Sequence, residues 1–160
     1  MTLELSSPAF SASGPIPVQH TCDGANTPPS LRWSGTPPGT KSFVLIVDDP
    51  DAPDPEAPKR TYVHWVVYDI PGSANSLGEG SATGEGRQGL NDEKQHGYSG
   101  PCPPVGRHRY FFKLYALDTV LDALRDPTKA VLEKAMHDHV LGHAELIGTY
   151  ARAAGAARTD

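Results

Sequence analysis

The chain gathers its apolar side chains into short runs of strand length. Residues 42–47 read SFVLIV, an unbroken, β-branched run between Lys41 and Asp48, which predicts a buried strand. Residues 62–70, YVHWVVYDI, predict a second strand that stops at Pro71-Gly72, and residues 107–117, RHRYFFKLYAL, predict a third. Weaker extended segments fall at residues 2–5, 31–34 and 144–150. Helical spacing is confined to one place, where Val131, Leu132, Ala135, Met136 and Val140 form an apolar stripe. Asp126 is the expected N-cap, Pro127 the first helical residue and Gly142 the stop. A shorter helical turn is expected over residues 121–124.

Between these elements the chain is rich in turn formers. Residues 49–59 hold four prolines and read as a loop. Residues 73–106 are rich in Gly, Ser, Asn and Pro; a loop so long inside a compact domain either serves function or hides short strands. Sixteen Gly and sixteen Pro in 160 residues favour β architecture over a helical bundle. No repeat or linker divides the chain, so a single domain over residues 1–160 is expected, ordered from about residue 3 to 152 and frayed over 153–160. The fold class is therefore all-β, or β-rich with a short helical region near the C-terminus.

Charge and cysteine content narrow the function classes. Fourteen basic and nineteen acidic residues give a net charge of −5 with no basic stripe, which argues against nucleic acid as partner. No apolar run reaches the roughly 20 residues that span a bilayer, so no integral membrane contact is expected. The N-terminal MTLELSSPAF lacks the basic start and apolar core of a secretion signal, and a cytoplasmic location is expected. Cys22 and Cys102 then read as free thiols, with a bridge between them the minority reading. Nothing sets the oligomeric state, and a homodimer is allowed.

Candidate chemistry lies at the strand ends. Alternation places His64, Val66 and Tyr68 on one face of the second strand, and His108, Tyr110, Phe112 and Leu114 on one face of the third. Each histidine stands near the start of its strand, and the first strand runs into Asp48-Asp49-Pro50-Asp51-Ala52-Pro53. If the strands are neighbours and alternate in direction, these groups meet at one end of the sheet. Imidazole and phenol groups donate hydrogen bonds, and the Gly- and Pro-rich residues 97–106 let backbone N–H groups approach, which together suit a small oxyanion. An aspartate there repels a simple anion. It fits if it holds a histidine protonated or meets the cationic part of a zwitterionic head group.

Rival readings are weaker. Ser99 is not in a G-x-S-x-G setting, and no nucleophile accompanies a His64–Asp49 pair, so no catalytic residue is assigned and the protein is not expected to be an enzyme. His137, His139 and His143 do not share a helix face with a third ligand; they read as last-turn histidines favoured by the helix dipole, with no metal and no cofactor expected. Trp33 and Trp65 read as core, and Glu85, Asp92, Glu93 and Lys94 as a solvated mixed-charge loop.

The ordered set of Asp48-Asp49-Pro50-Asp51-Ala52-Pro53, His64-Trp65-Val66-Val67, Gly100-Pro101-Cys102-Pro103-Pro104 and His108-Arg109-Tyr110 resembles the signature blocks of the phosphatidylethanolamine-binding protein family. Cys22-Asp23-Gly24-Ala25-Asn26, Leu31-Arg32-Trp33-Ser34, Pro38-Gly39-Thr40-Lys41-Ser42 and Ala144-Glu145-Leu146-Ile147-Gly148-Thr149-Tyr150 resemble its prokaryotic, Raf kinase inhibitor-like branch. The resemblance implies two antiparallel sheets and an anion pocket at one end. By position Asp49, His64, His108 and Tyr110 match the pocket groups, and Asp51, Gly100 and Pro101 its wall. Where the family often has tryptophan before the first histidine, Tyr62 and Val63 stand here. The implied function is non-catalytic binding of a small anion or phospholipid head group, with a regulatory role through docking to another protein. The alternative is inhibition of a peptidase or of a kinase pathway. On this reading His108→Ala weakens phosphate binding with little loss of fold.

Overall fold

The computed structural model describes residues 2–78, 86–121 and 124–152. The turn expected over 121–124, the tail 153–160 and Glu85 lie wholly or partly outside them. Eight strands, one α-helix and a short 3-10 turn at Val18–His20 are present among the described residues: β1 (Glu4–Ser6), β2 (Leu31–Ser34), β3 (Ser42–Ala52), β4 (Arg60–Pro71), β5 (Ser76–Leu77), β6 (Arg87–Gln88), β7 (His108–Leu117), α1 (Lys129–Met136) and β8 (Val140–Tyr150). They form two antiparallel sheets, a small one in the order β1-β2-β5 and a large one in the order β6-β4-β3-β7-β8. The fold is thus mostly β with one helix, in keeping with the sequence.

The central place of β3 explains its unbroken apolar run. Phe43, Leu45 and Val47 face the small sheet and join Leu5, Leu31 and Trp33 in the main core. Val44 and Ile46 face the other way, toward Leu132 and Met136 of α1. A strand covered on both faces cannot alternate polar with apolar positions. The large sheet is therefore a middle layer, with the small sheet on one face and the helix on the other. Trp33 and Trp65 are core residues as expected, and each indole N–H finds an acceptor: the Ala74 carbonyl and Gln88 Oε1, both at 2.9 Å.

One local expectation is corrected at the end of β3, and another at the helix. β3 continues past Asp48 to Ala52, so the first part of the expected 49–59 loop is strand. Its pairing with β4 is broken by register shifts there, which the four prolines and three aspartates of the segment accommodate. The long segment 73–106 does hide short strands, β5 and β6, as its length suggested.

The helix is shorter than its stripe and starts later. Thr128 is the N-cap, its hydroxyl accepting from Val131 N–H at 3.3 Å. Asp126 instead adopts a positive φ of 44° and accepts from His96 at 2.6 Å, while the Pro127 carbonyl accepts from Leu90 N–H. Those bonds hold both residues outside the helix. Leu132 and Met136 carry the buried face, and Val131 is 44% exposed. Gly142 ends no helix but lies in β8, which begins at Val140. His139 and His143 are consequently not last-turn residues: His139 meets Asp118 at 2.8 Å, and His143 packs beside Tyr115 on β8. No described helix is long and apolar enough to cross a membrane.

Candidate functional site

Because β3 lies between β4 and β7 and runs antiparallel to both, its C-terminal end meets their N-terminal ends. That places Asp49 of β3, His64 of β4, and His108 and Tyr110 of β7 around one cavity of about 240 Å3. The meeting of two histidines and an acidic turn at one sheet end, conditional in the sequence, is present in the structure.

The geometry depends on a β-bulge. Val47 pairs with Trp65, but Asp48 pairs with Val63, so His64 is the additional residue on β4. Strict alternation would put His64 with Val66 and Tyr68. The structure instead sends Val66 and Tyr68 to the helix side, while the His64 ring meets Tyr62 and Tyr110 edge-on at 5.0 and 5.2 Å on the cavity side. The extra residue turns the histidine over.

The two histidines hold opposite charge states. His108 is 1% exposed, and both its ring nitrogens face oxygen: Nδ1 lies 2.5 Å from Asp49 Oδ2 and Nε2 lies 2.9 Å from the Val105 carbonyl. A carbonyl and a carboxylate only accept, so both nitrogens donate and the ring is an imidazolium. Burial pulls its pKa down, but the hydrogen bond and charge of Asp49 outweigh this, and the net shift is upward. His64 donates Nδ1–H to the Ser99 carbonyl at 2.6 Å. Its pKa is lowered, chiefly by burial, against the opposing pull of Ser99, Asp49, Glu93 and Asp48. Neutral His64 therefore turns the lone pair of Nε2 outward, with no partner among the described residues.

Tyr110 completes the set. Its side chain is 1% exposed and its hydroxyl has no hydrogen-bond partner. The phenol is held protonated by burial first and then by nearby negative charge, including Asp49. A buried hydroxyl without a partner costs about 1–3 kcal/mol, which marks it as a group awaiting something.

The far wall is the segment around Gly100. Asn26 Oδ1 accepts from Gly100 N–H at 2.9 Å, Ser99 N–H reaches the His64 carbonyl at 3.0 Å, and the Tyr98 hydroxyl reaches the His20 carbonyl at 2.6 Å. A Cβ at position 100 would collide with Asn26 and the His20 backbone, so only glycine lets these two loops close on each other. Their closeness also decides the cysteines. With Cα atoms 5.4 Å apart, Cys22 and Cys102 form a disulfide, and the free-thiol reading is corrected. Cys102 itself lines the cavity.

Of the seven residues expected in the pocket, Asp49, His64, Gly100, His108 and Tyr110 line the cavity. Asp51 and Pro101 do not. Asp51 faces Arg109, accepting from its Nε at 3.0 Å, Nη2 at 2.9 Å and backbone N–H at 2.9 Å. Pro101 gives its carbonyl to Cys22 N–H. The sequence reading missed Arg60, Tyr62 and Glu93 on the lining. Arg60, Tyr62 and His64 are two apart on one strand, so the period-2 rule would have found the first two. Glu93 left no such signal in its mixed-charge loop; it is exposed, as that reading had it, and it also lines the cavity.

The arrangement also bears on the rival chemistries. Asp49 is bonded to His108, so the His64–Asp49 acid–base pair does not form. Ser99 donates its hydroxyl to Glu93 at 2.5 Å and meets His64 only through its carbonyl. Among the described residues no three His, Cys, Asp or Glu side chains converge as metal ligands.

Comparison with known proteins agrees with this architecture. A family model described as phosphatidylethanolamine-binding protein matches residues 6–151. The chain is 47% identical over 156 residues to a UPF0098 protein of Methanothermobacter thermautotrophicus, covering 94% of this chain and 99% of the relative. It is 42% identical over 148 residues to a UPF0098 protein of Chlamydia pneumoniae, covering 92% and 98%. Among solved structures, a putative phosphatidylethanolamine-binding protein homolog from Chlamydia trachomatis superposes with a TM-score of 0.89 at 41% identity, over 95% of this chain and 99% of that one. YbcL of E. coli, described as a member of the mammalian family, superposes with a TM-score of 0.85 at 30% identity, over 96% and 100%.

Proposed function

Since the chain belongs to the phosphatidylethanolamine-binding protein family, we propose that its cavity binds a small anion or a phospholipid head group without transforming it. The observation that carries this reading is the Tyr110 hydroxyl, buried, protonated and unpartnered at the cavity. Beside it His64 Nε2 offers an acceptor. A ligand with both an oxyanion and a donor satisfies the two at once.

Charge balance refines the ligand. Four charged side chains line the cavity: Asp49 and Glu93 against His108 and Arg60, a sum of zero. A polyanion gains little there; a singly charged anion or a zwitterion fits better. The His108 imidazolium spends both N–H groups inside the protein, so it supplies charge rather than a direct hydrogen bond.

That detail also corrects the expected mutant. His108→Ala would strand the buried Asp49 carboxylate and cost about 3–5 kcal/mol, so it is no clean probe of binding. Tyr110→Phe is the test. It removes one unsatisfied oxygen, so the variant should be as stable as the parent or more so, while phosphate or phosphoethanolamine binding measured by titration calorimetry weakens about tenfold. Unchanged affinity in a folded variant would remove the basis for this reading.

A regulatory role through docking remains part of the proposal, tested by whether a ligand-saturated protein still associates with its partner. A cytoplasmic setting would place the Cys22–Cys102 bridge among reductants, where disulfides are rare outside hyperthermophiles and redox-active pairs. Trapping thiols in intact cells decides between that setting and an oxidising one.

A further inference from the structure

Residues 99–105 serve both pocket histidines. The Ser99 carbonyl accepts Nδ1–H of His64 at 2.6 Å, and the Val105 carbonyl accepts Nε2–H of His108 at 2.9 Å. Cys102 stands midway between these two acceptors along the chain, and it lines the cavity together with Gly100, Pro103 and Pro104. Pro101, Pro103 and Pro104 have no N–H, so the stretch has little means of fastening itself by hydrogen bonds.

It is fastened by the loop over residues 20–26. The Tyr98 hydroxyl donates to the His20 carbonyl, Gly100 N–H to Asn26 Oδ1 and Cys22 N–H to the Pro101 carbonyl. Beyond Pro101 the link is covalent, through the Cys22–Cys102 bridge. That loop is in turn fixed to the large sheet: Asp23 accepts from the Tyr150 hydroxyl of β8 at 2.6 Å and from Arg152 Nη2 at 2.9 Å. The bridge therefore ties the cavity wall to the frame of the molecule. It is also within reach of solvent, since Cys102 is exposed and Cys22 half-buried.

Resting on the pocket reading above, we infer that the Cys22–Cys102 bridge is a redox switch on the cavity, opened by dithiol reductants and protected from them by bound ligand. A thiolate of the reductant attacks Sγ of the exposed Cys102 and forms a mixed disulfide. The Cys22–Cys102 bond breaks, and its electron pair leaves on Cys22 Sγ, which takes a proton. The reductant's second thiolate then closes on its first sulfur, and Cys102 leaves as a thiolate that is protonated in turn. Two electrons and two protons pass to the protein, and the dithiol becomes a disulfide.

With the bridge open, hydrogen bonds alone hold the wall. The acceptors that fix the His64 tautomer and engage the second N–H of His108 then lose their set places. If the reduced wall keeps its bridged arrangement about one-tenth of the time, ligand affinity falls about tenfold. Coupling is reciprocal, so a ligand that prefers the bridged form makes the bridge harder to reduce by the same factor.

Full-length protein equilibrated in mixtures of reduced and oxidised dithiothreitol tests this, with the bridged fraction read by thiol alkylation and mass spectrometry. Saturating phosphoethanolamine should make the midpoint potential more negative by about 30 mV, the two-electron equivalent of tenfold. Titration calorimetry should give the reduced protein about tenfold weaker phosphoethanolamine binding than the bridged protein. Without ligand, reduction should speed hydrogen exchange at the Ser99 and Gly100 amides and leave α1 protected. Where phosphoethanolamine binds the bridged protein, an unmoved midpoint, equal affinities in the two forms, or a bridge that dithiothreitol opens only in denaturant overturns the switch and leaves the pocket reading intact. Loss of α1 protection on reduction overturns it as well, because the bridge would then hold the whole fold. If neither form binds phosphoethanolamine, both readings fall.

Discussion

Asp48 and Asp49 are neighbours on one strand, both almost wholly buried, and they point to opposite faces of the sheet. On the helix side, Asp48 accepts from two lysines, one from β7 and one from α1, and so pins the helix to the sheet. Both lysines keep about a quarter of their side chains in contact with water, 26% and 21% exposed. On the cavity side, Asp49 has one charged partner, His108, which is itself buried, and its other oxygen accepts from the Asp51 N–H at 2.7 Å. Beyond that pair stand the Tyr110 hydroxyl and His64 Nε2, neither with a protein partner among the described residues. Both sites are buried ionic clusters, but only one is complete. Burial of charge alone does not reveal function; a shortfall of partners beside it does.

The largest effect expected from breaking this comparison comes from the disulfide, which belongs to the cavity side alone. It joins residues 80 apart, and a cross-link closing a loop of that size stabilises by about 4 kcal/mol on the chain-entropy account. Cys102→Ser should lower the urea midpoint accordingly. Hydrogen exchange should show the amides of Ser99 and Gly100 losing protection before those of α1. Equal loosening of α1 would mean that the two faces are not independent.

Next in size is Asp49→Asn, expected to cost about 3 kcal/mol near neutral pH because it strands the His108 charge. It also changes the pH response. The folded-state pKa of His108 lies above the ordinary 6.5, so its contribution is complete below pH 6.5 and is lost as pH rises through the folded value. His64 works the other way: its pKa is lowered on folding, so stability falls as pH drops below 6.5 toward its folded value. Taken together, the pair gives the parent a maximum near pH 6.5 in these two contributions. In Asp49→Asn the alkaline limb should flatten while the acid limb persists. Denaturant titrations across pH 5–8 read both limbs, and an unaltered alkaline limb would show that Asp49 does not govern His108.

Asp48→Asn should be milder, about 1–2 kcal/mol, because Lys113 and Lys129 can turn to water once their partner is neutral. Ligand affinity should not move. A tenfold loss of phosphoethanolamine affinity in this variant would join the two sites that the geometry separates.

The parts legible in the sequence are those that depend on local patterning. The run SFVLIV announced a strand buried on both faces, and histidines near the starts of two strands lay where a central antiparallel strand would gather them. What stayed hidden depends on register or on distant chain. The bulge at His64 inverts the face that alternation assigns, and a one-residue shift leaves no mark in composition. Cys22 and Cys102 are brought together by loops closing over Gly100, a contact that spacing does not encode. Asp126 and Thr128 are both competent caps two residues apart. The choice between them fell to His96 and Leu90, which engage Asp126 and Pro127 from another segment. Glu93 belongs to the same class: its place on the cavity follows from how Asn91 and Asp92 anchor its loop, not from its neighbours in sequence.

The smallest predicted effect sharpens the comparison most finely, because it concerns the third aspartate of the series. Asp51 was expected on the pocket wall, yet its carboxylate is turned to Arg109. The Arg109 hydrogen bond, opposed by partial burial, lowers the Asp51 pKa below the usual 3.8. The pair therefore stabilises above pH 3.8, and that contribution is lost as pH falls through the lower folded value. Arg109 is 54% exposed, so water and salt screen the attraction. Arg109→Lys replaces a two-pronged contact by a single ammonium but leaves the backbone N–H of residue 109 on Asp51. The loss should stay below about 1 kcal/mol and appear mainly as a shallower acid limb below pH 4. Phosphoethanolamine affinity should be unchanged, since neither group lines the cavity. If Arg109→Lys weakens that affinity tenfold while stability holds, Asp51 serves the ligand after all, and the division between spent and available carboxylates on β3 must be redrawn.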